Sequence, residues 1–224
     1  MQIKIPYTPR KHQAFLHREI SRFRWNVLVC HRRFGKTVCM INHLIRSALL
    51  SKQKNPRFAY IAPTFKQAKS IAWDYMKQFT AKIPHTKFNE TELRVDLPNG
   101  SRITLLGSEN SDGLRGIYLD GCVIDEYANV NERLFPEIIR PALSDRKGYC
   151  VFIGTPQGMN NNFYELYQHA QGAEDWFNYK AKASETKIVD NEELVKAKEV
   201  MGEKKYLQEF ECDWIANIEG AIYA

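Results

Sequence analysis

The 224 residues are 44% hydrophobic and 26% charged, enough for one large domain that needs no disulfide or metal staple to hold its core. The 32 Lys and Arg against 26 Asp and Glu leave a net charge of +6, which fits a solubilising surface or a nucleic-acid partner and does not decide between them. Five cysteines without a C-x-x-C pair exclude a disulfide framework and a zinc ribbon, no secretory leader opens the chain, and residues 148–164, its longest uncharged run, hold too much Gly, Pro and Asn to span a membrane.

In chain order, short apolar runs alternate with amphipathic stretches. "NVLVC" (Asn26 to Cys30) reads as a buried strand, and "GKTVCMINHLIRSALL" has apolar residues at helical spacing. "RFAYIA" (Arg57 to Ala62) predicts a second strand ended by Pro63, and "FKQAKSIAWDYMKQF" a second helix. "LRVDLPNGSRITLLG" alternates with period two around Asn99-Gly100 and predicts a β-hairpin. "GCVIDE" (Gly121 to Glu126) and "GYCVFIGT" (Gly148 to Thr155) are further buried strands, with a short helix expected in "NERLFPEIIRPAL" between them. "NNFYELYQHA" is helical, "DWFNYKAKA" alternates as an edge strand does, and residues 191–215 hold one or two helices broken near Gly202. Strands alternating with helices imply a mainly parallel sheet covered on both faces. No linker rich in Gly or Ser divides the chain, so it reads as one domain, 1–224.

The stretch "CHRRFGKTV" carries the first chemical signal. A phosphate-binding loop reads G-x-x-x-x-G-K-[ST] between a strand and a helix, and this stretch has both that context and Gly35-Lys36-Thr37, with Cys30 in place of the first glycine. Free amides at the helix start (Phe34, Gly35, Val38 and their neighbours) would face phosphate oxygens. Lys36 would reach the β- and γ-phosphates and Thr37 would ligate Mg²⁺. The second signal is "CVIDE": Asp125 at a strand end can hold Mg²⁺, and the adjacent Glu126 can polarise a water for attack on the γ-phosphate. The two halves stand about 90 residues apart in one α/β chain. Together they predict a P-loop ATPase of the additional-strand (RecA-like) type, with ATP and Mg²⁺ as cofactors and a β-hairpin insertion. Gln13, ahead of the loop strand, fits an adenine-reading glutamine or a plain surface residue. Thr155 in "VFIGTPQG" would stand beside the phosphates if its strand lies between the loop strand and the acidic strand, and could then couple γ-phosphate state to movement.

The ordered motifs "HRRFGKT", "YIAPTFKQAK", "GLRG" ten residues before Asp125, "CVIDE", "GTPQG" and "FYELY" resemble the ATPase domain of a large terminase, the DNA-packaging motor of tailed bacteriophages. "YLQEFECDWIANIEGAIY" resembles the segment that joins such a motor to its nuclease domain, so that linker is expected to begin at about residue 210. The resemblance implies that loss of the first loop glycine is tolerated, that Arg32 is the arginine such loops carry, and that Arg33 occupies a variable position. It implies that Gln13 contacts adenine, that Lys36, Thr37, Asp125 and Glu126 fill the catalytic and metal roles, and that Thr155 lies in the coupling motif. It also implies double-stranded DNA, a portal protein and a small terminase subunit as partners. Such motors form a ring on a procapsid in the cytoplasm of the infected host, and a monomer is expected in isolation.

In such rings a neighbour often supplies an arginine to the γ-phosphate. Arg115, flanked by glycines in "GLRG", is the first candidate, and Arg140 and Arg146 are alternatives. Lys52, Lys54, Arg57, Lys66 and Lys69 are candidate DNA contacts, with solvated charge as the other reading. No carboxylate-rich nuclease domain follows the motor, so no DNA cleavage is expected from this chain. Two other functions remain open: one half of a helicase-like translocase, which needs a second motor domain, and a nucleotide-gated binding module, which has no need of Glu126.

Overall fold

The computed structural model describes residues 5–216. Helix α1 (Lys11–Ile20) leads into β1 (Trp25–Cys30), then α2 (Lys36–Leu50) and β2 (Arg57–Ala62). The predicted second helix is α3 (Phe65–Ala68) and α4 (Asp74–Thr80), joined by a π-helical turn over Lys69–Trp73. Strands β3 (Lys87–Asn89), β4 (Arg94–Asp96), β5 (Arg102–Gly107) and β6 (Gly121–Ile124) follow. A π-helical turn (Leu134–Ile139) runs into α5 (Arg140–Ala142), where a short helix is expected. The chain continues through β7 (Tyr149–Gly154), α6 (Asn162–Gly172), β8 (Trp176–Ala181), α7 (Ala183–Thr186), α8 (Asn191–Met201) and α9 (Glu203–Phe210).

The strands form one sheet in the order β3-β4-β5-β2-β6-β7-β1-β8. From β5 to β8 every neighbouring pair is parallel, so Cys30, Ala62, Gly107, Ile124, Gly154 and Ala181 all end at one edge. The hairpin is not a separate insertion: β4 pairs antiparallel with β5, but β5 pairs parallel with β2, so the hairpin widens the main sheet, and β3 adds a strand not expected from the sequence. The alternating "DWFNYKAKA" run is the edge strand β8, parallel to β1.

Both faces are covered, which is why β1 reads as a continuous apolar run. Leu28 and Cys30 face the layer of α1, α2 and α4, while Val27 and Val29 face the layer of α6 and the π turn after β6. All five cysteine thiols are free and buried. Phe210, Cys212 and Trp214 are buried too, with Trp214 packed edge-on against Phe163 and Tyr164 and tilted against Tyr167. Residues 210–214 therefore pack on the body of the domain, because Cys212 and Trp214 join the second core layer and Phe210 packs against Ala183 and Leu194; the rest of the expected linker, 217–224, lies outside the described residues.

Helices α1 and α2 meet through a stacked histidine pair. The His17 and His43 rings lie 5.4 Å apart at 5°, with Nδ1 atoms 3.2 Å apart. Burial, with Arg46 adding to it, pushes His17 down to about 4; burial, then the positive charges of His17 and Arg46, pushes His43 down to about 3. Both rings are thus neutral in the folded chain, while unfolded histidines bind a proton below about pH 6.5. The unfolded state therefore binds more protons as pH falls, and stability is lost from about pH 6.5 downward. The melting temperature is expected to drop by roughly 5–10 °C between pH 7 and pH 5. His43→Leu should flatten that slope; an unchanged slope in this variant would remove the pair from the explanation.

Candidate nucleotide site

Strand β1 ends at Cys30 and α2 begins at Lys36, so residues 31–35 turn the chain at the common C-terminal edge of the sheet. Left-handed backbone occurs in this loop at Arg33 (φ 69°) and Gly35 (φ 88°), and Cys30 needs none. That explains how a cysteine stands where the standard loop has glycine: the position is simply the end of a strand. Gly35, in contrast, is held close, since a Cβ there would meet Gln13 Nε2 at 3.0 Å.

The Lys36 ammonium donates to the Cys30 carbonyl (3.2 Å) and to Thr155 Oγ1 (3.0 Å). Strand β7 lies between β1 and β6, the arrangement required for Thr155 to stand beside the loop. Gln13 is buried; its Oε1 accepts from the Arg10 amide (2.9 Å) and its Nε2 donates to the Gly35 carbonyl (3.2 Å), so it braces the loop from α1. Phe34 is buried with its ring in edge contact with His12 and His31, and its amide, expected to be free for a phosphate, donates to the His31 carbonyl (3.2 Å) and closes the turn. His31 Nδ1 donates to the Arg32 carbonyl (2.6 Å) and Nε2 meets the Thr186 hydroxyl (2.8 Å), tying the loop to α7.

Asp125 is buried at the end of β6 and accepts from the Glu126 amide (2.9 Å) through Oδ1 and from the Tyr60 hydroxyl through Oδ2. Glu126 adopts a left-handed backbone (φ 47°, ψ 48°), a conformation that costs a non-glycine residue strain of order 1 kcal/mol and that concentrates at functional sites. Burial pushes both carboxyls up; Lys36 pulls both down, and for Glu126 the Asp125 and Glu209 charges raise while Arg32 lowers. Lys36, Asp125, Glu209 and Arg32 are thus the charges that bear on Glu126. The donor set of one buried carboxylate and one helix-start hydroxyl, both oxygen, fits Mg²⁺ held by Asp125 and Thr37.

The two loop arginines are not equivalent. The Arg32 amide donates to the Glu209 carbonyl (2.8 Å), and its guanidinium lies 3.9 Å from the Glu209 carboxylate, which Lys205 also holds (2.9 Å). Arg33 is exposed at the left-handed turn. From the same helix α9, Gln208 Nε2 donates to the Pro156 carbonyl (2.6 Å), next to Thr155.

The other candidates fall elsewhere. Arg115 reaches Glu137 (3.5 Å) at the surface. Arg146 is committed to Asp120 (3.6 Å), the Lys54 carbonyl (3.0 Å) and the face of Tyr118 (4.3 Å), and Arg140 is exposed. Lys52 and Lys54 precede β2, and Arg57 begins it, bonded to the Pro56 and Gly100 carbonyls (both 3.1 Å). Lys66 and Lys69 follow β2 at the loop edge. A six-residue strand is roughly 20 Å long, so these five cations do not form one patch. Sequence reasoning missed Tyr60, Gln208 and Glu209. Tyr60 carried one signal, a hydroxyl inside an otherwise apolar strand; α9 carried none, because its contact with the loop is long-range.

Residues 29–224 match the family model for the N-terminal part of the terminase large subunit, T4likevirus type. The chain belongs to the terminase large-subunit family. The terminase large subunits of Thermus phage G20c and Thermus virus P23-45 are each 27% identical to it over 180 residues, 72% of this chain and 36% of theirs, so it spans about a third of these relatives. The large terminase ATPase domain of Thermus phage P74-26 shares its fold, with a TM-score of 0.79 at 22% identity over 94% of this chain and 95% of that one. The large terminase of a thermophilic bacteriophage, solved in complex with ADP, superposes at a TM-score of 0.78, with 16% identity over 91% of this chain and 53% of that one. The RecA-like α/β fold expected from the sequence is therefore that of terminase ATPase domains.

Proposed function

We propose that this domain hydrolyses ATP with Mg²⁺ and that hydrolysis drives double-stranded DNA into a viral procapsid. The observation that carries the reading is the convergence of Lys36, Thr37, Asp125, Glu126 and Thr155 at one edge of the sheet, three separate strand ends of a terminase-family fold. The α2 amides and Lys36 bind the β- and γ-phosphates. When bound, Mg²⁺ held by Thr37 and Asp125 neutralises charge on the phosphate oxygens. Glu126 takes a proton from the attacking water; burial brings its pKa toward the working pH, which suits a general base. Arg32 supplies fixed positive charge as charge develops on the γ-phosphate. The chain of bonds from Lys36 to Thr155, and from Pro156 to Gln208, links phosphate state to α9.

In the assembled motor we assign the trans arginine to Arg115 and place the ring on a portal protein, with a small terminase subunit, in the infected host's cytoplasm. Without a neighbour's arginine the isolated domain runs slowly. The test is phosphate release from Mg-ATP across a range of protein concentrations. Saturable release that rises with protein concentration supports the reading. Tight ATP binding with no release at any concentration would replace it with a nucleotide-gated binding module.

A further inference from the structure

We infer that Tyr60 is a positioning residue for the magnesium site: its hydroxyl holds the Asp125 carboxylate, so that this oxygen ligand is set before the ion arrives. The inference rests on the proposed nucleotide reading and adds a residue to it.

Register explains how a residue from β2 reaches the site. Tyr60 pairs with Val123 across the parallel β2–β6 ladder, and Asp125 lies two residues beyond Val123. A diagonal neighbour on the same face is roughly 7–8 Å away between Cα atoms, a gap an aromatic side chain can span. Tyr60 and Val123 both face the α2 layer, which places the phenol beneath the start of α2, where Thr37 stands. There the hydroxyl donates to Asp125 Oδ2. Asp125 Oδ1 is already engaged by the Glu126 amide. Tyr60 thus fixes the remaining carboxylate oxygen and so the rotation of the whole group.

The phenol is fully buried. A tyrosine inside a sheet needs a partner for its hydroxyl, and this one directs that bond to a metal ligand rather than to a backbone carbonyl. Groups that orient metal ligands from behind typically contribute 10–100-fold to metal affinity. Removing the hydroxyl would leave Asp125 buried with one oxygen unsupported and free to turn.

The experiment compares wild type, Tyr60→Phe and Tyr149→Phe. Tyr149 is the control, a partly buried tyrosine of the same sheet whose hydroxyl bonds to Ser47 (3.0 Å), outside the site. The readout is the Mg²⁺ concentration at half-maximal binding of a fluorescent ATP-γ-S analogue, with Mn²⁺ binding followed by electron paramagnetic resonance. Tyr60→Phe is expected to raise that concentration 10–100-fold, with near-wild-type nucleotide affinity recovered at saturating Mg²⁺; Tyr149→Phe should leave it unchanged. An equal midpoint in Tyr60→Phe and wild type, or equal shifts in both variants, overturns the inference. If Tyr60→Phe does not fold, wild type labelled with [¹³Cζ]tyrosine decides: Mg²⁺ with ATP-γ-S should shift a buried tyrosine resonance, and no shift counts against the role. A wild type that shows no Mg²⁺-dependent nucleotide binding would instead refute the nucleotide reading itself.

Discussion

Glu126→Ala should lower steady-state ATP hydrolysis at least about 10²-fold while leaving ATP affinity within a few-fold of wild type, because a positioned general base contributes roughly 10²–10⁴. The side chain is half-buried at the end of β6, next to Asp125 and within the field of Lys36 and Arg32. It makes no side-chain hydrogen bond among those found in the described residues, which leaves its carboxylate available to a water. Its backbone is left-handed, and alanine tolerates that conformation no better than glutamate, so the substitution removes the carboxylate without relieving the strain. Phosphate release at fixed Mg-ATP and calorimetric ATP binding separate the two effects. Unchanged turnover would remove Glu126 from the chemistry.

Arg32→Ala should lower kcat about 10²–10³-fold with little change in KM, the loss expected when one pre-placed positive donor to a developing anion is removed. The geometry favours Arg32 over its neighbour. Its backbone is anchored to the Glu209 carbonyl, and its guanidinium rests near the Glu209 carboxylate at 3.9 Å, too long for a strong pair and easily exchanged for a phosphate. Arg33 occupies the exposed left-handed turn, so Arg33→Gly should change kcat by no more than a few-fold. Glu209→Gln removes the competing charge and should leave hydrolysis within a few-fold of wild type. Stopped-flow phosphate release from the three variants orders these roles; a large loss in Arg33→Gly beside a normal Arg32→Ala would reverse them.

Much of this site was legible in the sequence because its signals are local. The loop, the helix it opens and the acidic pair each lie within at most fifteen residues, and apolar runs between them mark strand ends. Even the Cys30 substitution could be framed from sequence as a question about one dihedral angle, which the strand geometry answers. What stayed hidden depends on register and long-range packing. Tyr60 meets Asp125 only because β2 and β6 pair as they do, 65 residues apart. Glu209 and Gln208 reach the loop because Phe210, Cys212 and Trp214 sink into the core and draw α9 against it. The same sequence, taken as a linker, concealed that contact. The hairpin was correctly seen as alternating strands, but nothing local shows that β5 also joins the parallel sheet. The five surface cations read as one group along the chain, yet β2 separates them to opposite edges.

The central claim is that the loop from Cys30 to Thr37 binds nucleotide phosphates through Lys36 despite lacking its first glycine. Calorimetric titration of wild type and Lys36→Ala with ATP-γ-S and Mg²⁺ tests it most directly. Losing a charged hydrogen-bond donor to phosphate costs about 1.5–3 kcal/mol, so affinity should fall roughly 10–100-fold in the variant. Equal affinity in the two proteins, or no binding by the wild type, would contradict the account.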